Sequence, residues 1–130
     1  MQIGLVGLSN SGKTTLYQLL TGIDSLNTQG KSNKGIVRVP DARIDFLSHH
    51  FKPRKTTYAV LEAVDIPGLI PGQDRSSISF LQAARDCDLL VQVIQAFNNP
   101  DAPHIEGEID PMRDFQLVNF ELLLSDLDQV

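Results

Sequence analysis

Nine consecutive residues near the start of the chain have the types and spacing to hold a phosphate. They are Gly7, Leu8, Ser9, Asn10, Ser11, Gly12, Lys13, Thr14 and Thr15, and the first eight read G-x-x-x-x-G-K-T. A nucleotide's phosphates carry several negative charges. Backbone N–H groups at the start of a helix offer donors and the positive end of the helix dipole together. Gly7 and Gly12 allow a close backbone approach that a side chain would block. Lys13 is expected to reach the β- and γ-phosphates and the Thr14 hydroxyl to ligate Mg²⁺. The bland alternative is a glycine-rich turn before an ordinary helix. It does not account for strand, loop, lysine, threonine and helix falling in register.

A second group with chemistry is Asp65-Ile66-Pro67-Gly68, the pattern D-x-x-G, 52 residues after Lys13. At the end of a strand, such an aspartate holds Mg²⁺ and the glycine N–H bonds the γ-phosphate. Lys13, Asp65 and Gly68 are the residues expected to serve catalysis. Thr14, Asp65 and Thr28 are those expected at the metal. Thr28 is the best γ-phosphate sensor in residues 22–34, ahead of Ser25 and Ser32. The same stretch reads equally well as a plain polar loop. Leu69 follows Gly68, where Ras-like proteins have a water-orienting glutamine. A leucine cannot hydrogen-bond water, so turnover is expected to be slow or to rely on another group or a bound cation. Gln73, Asp74 and Arg75 are polar groups of an expected mobile loop over 70–77.

Other reactive residues fit blander roles. His49 and His50 are adjacent on a helix and point in different directions, with no ligand cluster beside them. Cys87 adjoins an apolar run and reads as a small core residue. His104 reads as a loop residue, with a pH-switch role as the alternative.

These residues need elements to position them. Gln2–Val6 is apolar and branched, a buried strand, and residues 15–22 form a helix closed by Gly22. Gly35–Val39 alternates as a strand stopped by Pro40. Asp41 caps a short amphipathic helix with Ile44, Leu47 and Phe51 on its apolar side. Thr56–Asp65 is a second strand, and Asp88–Phe97 another. Between them Ser77–Asp86 is helical, with Ile78, Leu81 and Ala84 on one face. Asp110-Pro111 starts the last helix. Its expected buried face holds Phe115, Val118, Leu122 and Leu123, and its wet face Glu121, Asp126 and Asp128.

The chain has 130 residues, 42% hydrophobic and 21% charged, with net charge −5. This suits one globular domain. An acidic balance excludes overall nucleic-acid affinity, so RNA contact would need a local basic patch. Lys31, Lys34 and Arg38, then Lys52, Arg54 and Lys55, are the candidates, with a solvated surface as the bland reading. A single cysteine excludes an internal disulfide and suggests a reducing compartment. No apolar run reaches the length of a membrane span. A soluble, cytoplasmic protein is expected.

With these pieces placed, the chain resembles the first part of a YchF-type protein, a branch of the Obg-related P-loop NTPases. The resemblance rests on GLSNSGKTTLYQLLTG, GIVRVPDARIDFLSHHFKPRKTT, VDIPGLIPG, ARDCDLLVQVIQAF and HIEGEIDPMRDFQLVNFELLLSDLDQV, in that order. The PD-R-D and H-EG-DP-RD stretches are specific to that family. It implies an α/β P-loop NTPase three-layer sandwich, a Ras-like G domain incomplete at the C-terminus. It implies GTP or ATP binding and Mg²⁺-dependent hydrolysis. The alternative is a nucleotide-sensing module that hydrolyses little and acts through a partner such as the ribosome. Asn10 matches an asparagine that helps hold K⁺ in related potassium-activated NTPases. Two departures touch the switches: Thr28 is out of the family's register, and the segment after Gly68 is shorter and less glycine-rich. The family's coiled-coil insertion, base-recognition strand and C-terminal domain are absent from residues 1–130. The residues that choose ATP over GTP lie in those parts. An open sheet edge and apolar face are expected to promote self-association.

Overall fold

A computed structural model describes residues 1–23 and 33–130. Strand β1 (Gln2–Val6) is followed by helix α1 (Lys13–Thr21), strand β2 (Asn33–Arg38) and helix α2 (Ala42–Phe51). Then come β3 (Val60–Asp65), α3 (Asp74–Arg85), β4 (Leu89–Gln92) and α4 (Pro111–Gln129). The strands form one sheet in the order β2-β3-β1-β4. β1 pairs parallel with β3 and β4, and β2 pairs antiparallel with β3.

The central strand is apolar on both faces, as a covered parallel strand must be. Leu5 and Ala63 face α1, where Tyr17 is buried with Leu16 and Val37 against it. Val6 and Val64 face the other way, into a core with Leu8, Ile66, Leu69, Phe80, Ala84 and Val118. Helix, sheet and helices therefore make three layers. Gly35 lets α1 lie close, since a Cβ there would come within 2.8 Å of the Tyr17 hydroxyl.

Local signals placed two helix starts. Asp41 accepts from Arg43 N at 2.9 Å, and Asp110 accepts from Arg113 N at 3.1 Å with Pro111 next. Other boundaries differ from expectation. β3 begins at Val60 rather than Thr56, because β2 ends at Arg38 and its register places Arg38 opposite Val60. β4 ends at Gln92: Val93 N still bonds Val6 O at 2.8 Å, then the chain leaves the sheet. Helix α3 starts at Asp74, so Asp74 and Arg75 belong to its first turn rather than to a mobile loop. Asp74 suits that turn electrostatically.

Several expected faces are also corrected. On α3 the fully buried residue is Phe80, while Ile78 is 57% exposed. On α4 the buried residues are Asp114, Val118 and Ser125. Phe115 and Leu123 point outward, 44% and 65% exposed. Helix α2 buries none of its residues.

Candidate functional site

The loop from Gly7 to Gly12 joins the end of β1 to the start of α1. Gly7 has φ +154, and a Cβ on it would sit 2.3 Å from the Val93 carbonyl oxygen. Only glycine fits between the loop and the segment leaving β4. Gly12 is the residue preceding α1, with φ 96 and no side-chain cap. The first N–H groups of α1 therefore lack both intrahelical and side-chain partners. They open on a pocket of about 320 Å³ lined by Asn10, Lys13, Thr14, Thr15, Phe97 and Asn99.

Lys13 is buried, 5% exposed. Its ammonium donates to Leu8 O at 2.6 Å and lies 3.5 Å from Ser11 Oγ. Burial pushes its pKa from 10.5 down to about 8, and the nearby Asp65 carboxylate opposes this. Asp65 is buried at the end of β3, paired in register with Leu5 of β1. Burial raises its pKa, while the Thr14 bond and the Lys13 charge pull it back. Thr14 Oγ1 donates to Asp65 Oδ2 at 2.8 Å, and Asp65 Oδ1 is buried with no hydrogen-bond partner. Buried polar atoms are rarely left this way. The hydroxyl and the two carboxylate oxygens are hard donors, the set that Mg²⁺ prefers. The residues present therefore fit that ion.

The segment after Asp65 is laced to the loop. Leu69 N donates to Gly7 O and Ser9 N donates to Leu69 O, each at 3.0 Å. Gly68 is pressed on Ser9: a Cβ there would lie 2.7 Å from Ser9 Cα. Ser76 Oγ accepts from Ile70 N at 2.9 Å and donates to Gly68 O at 3.1 Å. The side chain of Leu69 is wholly buried in the core, not turned to the pocket.

The model of the family described as 50S ribosome-binding GTPases matches residues 2–121. The chain belongs to that family. It is 39% identical to the ribosome-binding ATPase YchF of Haemophilus influenzae, over 96% of this chain and 37% of the relative. The Bacillus subtilis YchF is 36% identical, over 98% of this chain and 37% of its own length. Obg-like ATPase 1 of Bos taurus is 36% identical, over 100% of this chain and 35% of the relative. The solved YchF GTPase of Schizosaccharomyces pombe superposes with a TM-score of 0.74 and 30% identity, covering 98% of this chain and 36% of that one. The fold is thus the P-loop GTPase α/β fold that the sequence implied. The chain spans little more than a third of the length of the curated relatives it matches.

In this YchF-like chain the H-EG-DP-RD stretch has a structural meaning that its letters did not reveal. His104 is buried, and Glu106 N donates to its Nδ1 at 3.0 Å. The ring proton therefore sits on Nε2, which donates to Asp114 Oδ2 at 2.6 Å. Asp114 Oδ1 accepts from Arg113 at 3.1 Å, and Arg113 also reaches Glu108 O at 2.6 Å. Gly107 turns the chain between them at φ +83. The corner fixes the loop that walls the pocket, where Asn10 Nδ2 donates to Pro103 O at 3.3 Å.

Of the residues expected to work together, Lys13, Thr14 and Asp65 are in contact or close by, and Gly68 meets the loop at Ser9. Thr28, Ser25, Ser32 and Lys31 lie outside the described residues. His49 and His50 are exposed, and no cluster of three metal-ligating side chains exists among the described residues. Sequence reasoning missed Gln95, which is 2% exposed and donates to Phe97 O and Ala102 O at 3.3 and 3.2 Å. A glutamine at the end of an apolar run was its only signal. Phe97 and Asn99 also escaped, since neither belongs to a recognisable pattern.

Proposed function

We propose that the chain binds a nucleoside triphosphate, GTP or ATP, on Gly7–Thr15 and hydrolyses its terminal phosphate slowly. It would do so as the phosphate-binding part of a YchF-type switch, residues 1–130 forming the front of a G domain. The observation that carries this reading is the buried Lys13 beside the Thr14–Asp65 pair, with one Asp65 oxygen unpartnered. A packed core gains nothing from burying a lysine and a carboxylate in this way.

Each residue then has a task. The α1 N–H groups and Lys13 take the phosphate oxygens, and Lys13 exchanges Leu8 O for them. Charge spreading on the transferred group is stabilised by donors already in place. Thr14 and Asp65 would hold Mg²⁺, which supplies charge neutralisation at the phosphates. Asn10 is the proposed K⁺ contact, through its amide oxygen. Gly68 offers its N–H to the γ-phosphate once it separates from Ser9. The ribosome-binding relatives support a ribosomal partner, and with it a cytoplasmic setting. No helix among the described residues is long and apolar enough to cross a membrane.

A second reading, a sensor with little turnover, draws support from Leu69. It is buried in the core and offers attacking water nothing. Calorimetric titration with Mg-ATP and Mg-GTP, in K⁺ and in Na⁺ buffer, tests the common part. Saturable binding weakened about 100-fold in Lys13→Ala is expected, because a charge-assisted contact is lost. Binding of neither nucleotide by the wild-type chain would overturn both readings. Multiple-turnover phosphate release then separates enzyme from sensor.

A further inference from the structure

Helix α2 presents an outer surface unlike the rest of the molecule. It buries no residue, yet it is tied down by Ser48 to Thr56 at 2.6 Å and by the Tyr58 hydroxyl to Asp45. Phe46 and Phe51 are 71% and 72% exposed. Phe46 and His50 are stacked 6.3 Å apart, and His50 meets Phe51 edge-on at 4.8 Å. Arg43, Phe46 and His50 fall at helical spacing on one side. The chain then turns at Lys52 (φ 46) into exposed Pro53, Arg54 and Lys55. Arg38 lies over the Tyr58 ring at 4.3 Å.

Charge separates this region from the remainder. Residues 38–58 hold five of the eleven Lys and Arg but only two of the sixteen Asp and Glu. The segment is net +3, and the rest of the chain −8. Both of its acids are engaged: Asp41 pairs with Arg43 at 2.8 Å, and Asp45 takes the Tyr58 hydroxyl. Between Leu47, Phe51, Pro53 and Thr57 runs an open groove of about 260 Å³.

We propose that this face binds single-stranded RNA. Lys52, Arg54 and Lys55 would track the phosphates, and Phe46, His50 and Phe51 would stack bases. Unpaired bases offer the ring faces that stacking needs, and a duplex hides them. A lipid surface fits less well. An interfacial helix segregates cationic from apolar faces, whereas Arg43 and His50 share a side with Phe46. An acidic protein would match the charge but leave three exposed rings unexplained. The inference rests on the ribosomal half of the proposed function. It shares no residue with the phosphate loop.

Fluorescence anisotropy of the full chain with a short labelled single-stranded RNA of mixed sequence tests it. Reversing Lys52, Arg54 and Lys55 together to Glu is expected to weaken binding by at least about tenfold, and to reduce the salt slope of log K by about 2. Phe46→Ala with Phe51→Ala is expected to weaken it by about tenfold at an unchanged slope. All five residues are exposed, so both variants should melt with the wild type. Unchanged binding in either variant, no binding by the wild type, or tighter binding to phosphatidylglycerol vesicles than to RNA would overturn the proposal. Loss of RNA binding in Lys13→Ala would overturn it too, by placing the RNA on the phosphate loop. Retained Mg-nucleotide affinity in the charge-reversed variant separates its outcome from that of the nucleotide reading.

Discussion

Lys13 and Asp65 together hold a cost that only a ligand relieves. Burial brings Lys13 from 10.5 to about 8, a penalty of about 3 kcal/mol for its charged form. The sign follows from proton counting. Between about pH 8 and 10.5 the unfolded chain binds the lysine proton and the folded chain does not. The penalty is therefore present in full below about pH 8, and stability from this group rises with pH through the window. A triphosphate reverses the preference, because it demands the charged lysine. Nucleotide binding at about pH 9 should take up close to one proton, and affinity should fall as pH rises above about 8. Calorimetry in two buffers of different ionisation enthalpy reads the uptake; none would mean that Lys13 is already charged in the free protein. The loop itself was legible in the sequence, since each of its residues answers a local demand of phosphate. The burial of Lys13 and the orphaned Asp65 oxygen were not, since both depend on two residues brought together from 52 positions apart.

Elements were legible where a cap announced them and illegible where packing decided. Asp41 and Asp110 act within three residues and marked α2 and α4. The start of α3 is set by contacts that no local pattern shows: Ser76 ties its first turn to Gly68 and Ile70. Apolar residues are spread around helix α4 rather than gathered on one face, so hydrophobic period alone leaves its phase open. Polar bonds choose the face: Asp114 to His104 at 2.6 Å, and Ser125 from Arg85 at 2.5 Å. His104→Ala should therefore destabilise the fold by about 2–3 kcal/mol, because a buried carboxylate oxygen loses its donor. Asp110→Ala, which removes only a cap, should cost about 1 kcal/mol. Urea unfolding measures both. Equal losses would place His104 among ordinary loop residues, the reading its sequence context favoured.

For the whole molecule, the question is what covers the side beyond β4. Among the described residues that strand pairs only with β1, and its Leu89 and Val91 are 46% and 36% exposed. On α4, Phe120, Leu123, Leu124 and Leu127 are 58%, 65%, 41% and 69% exposed. Their spacing of i, i+3, i+4 and i+7 makes a continuous apolar stripe on the solvent side. An open strand edge and such a stripe both favour association, and net charge −5 is too small to oppose it at ordinary salt. Sedimentation velocity over a concentration series should show this chain moving from monomer to larger species. Leu123→Glu with Leu127→Glu should hold it monomeric, since two charges would then have to be buried at the contact. The double variant should keep its melting temperature, because both side chains already face water. If the wild type stays monomeric at high concentration, the stripe does not pair with itself. If the variant associates as before, the contact lies at the β4 edge, and a charge placed at Val91 becomes the discriminating change.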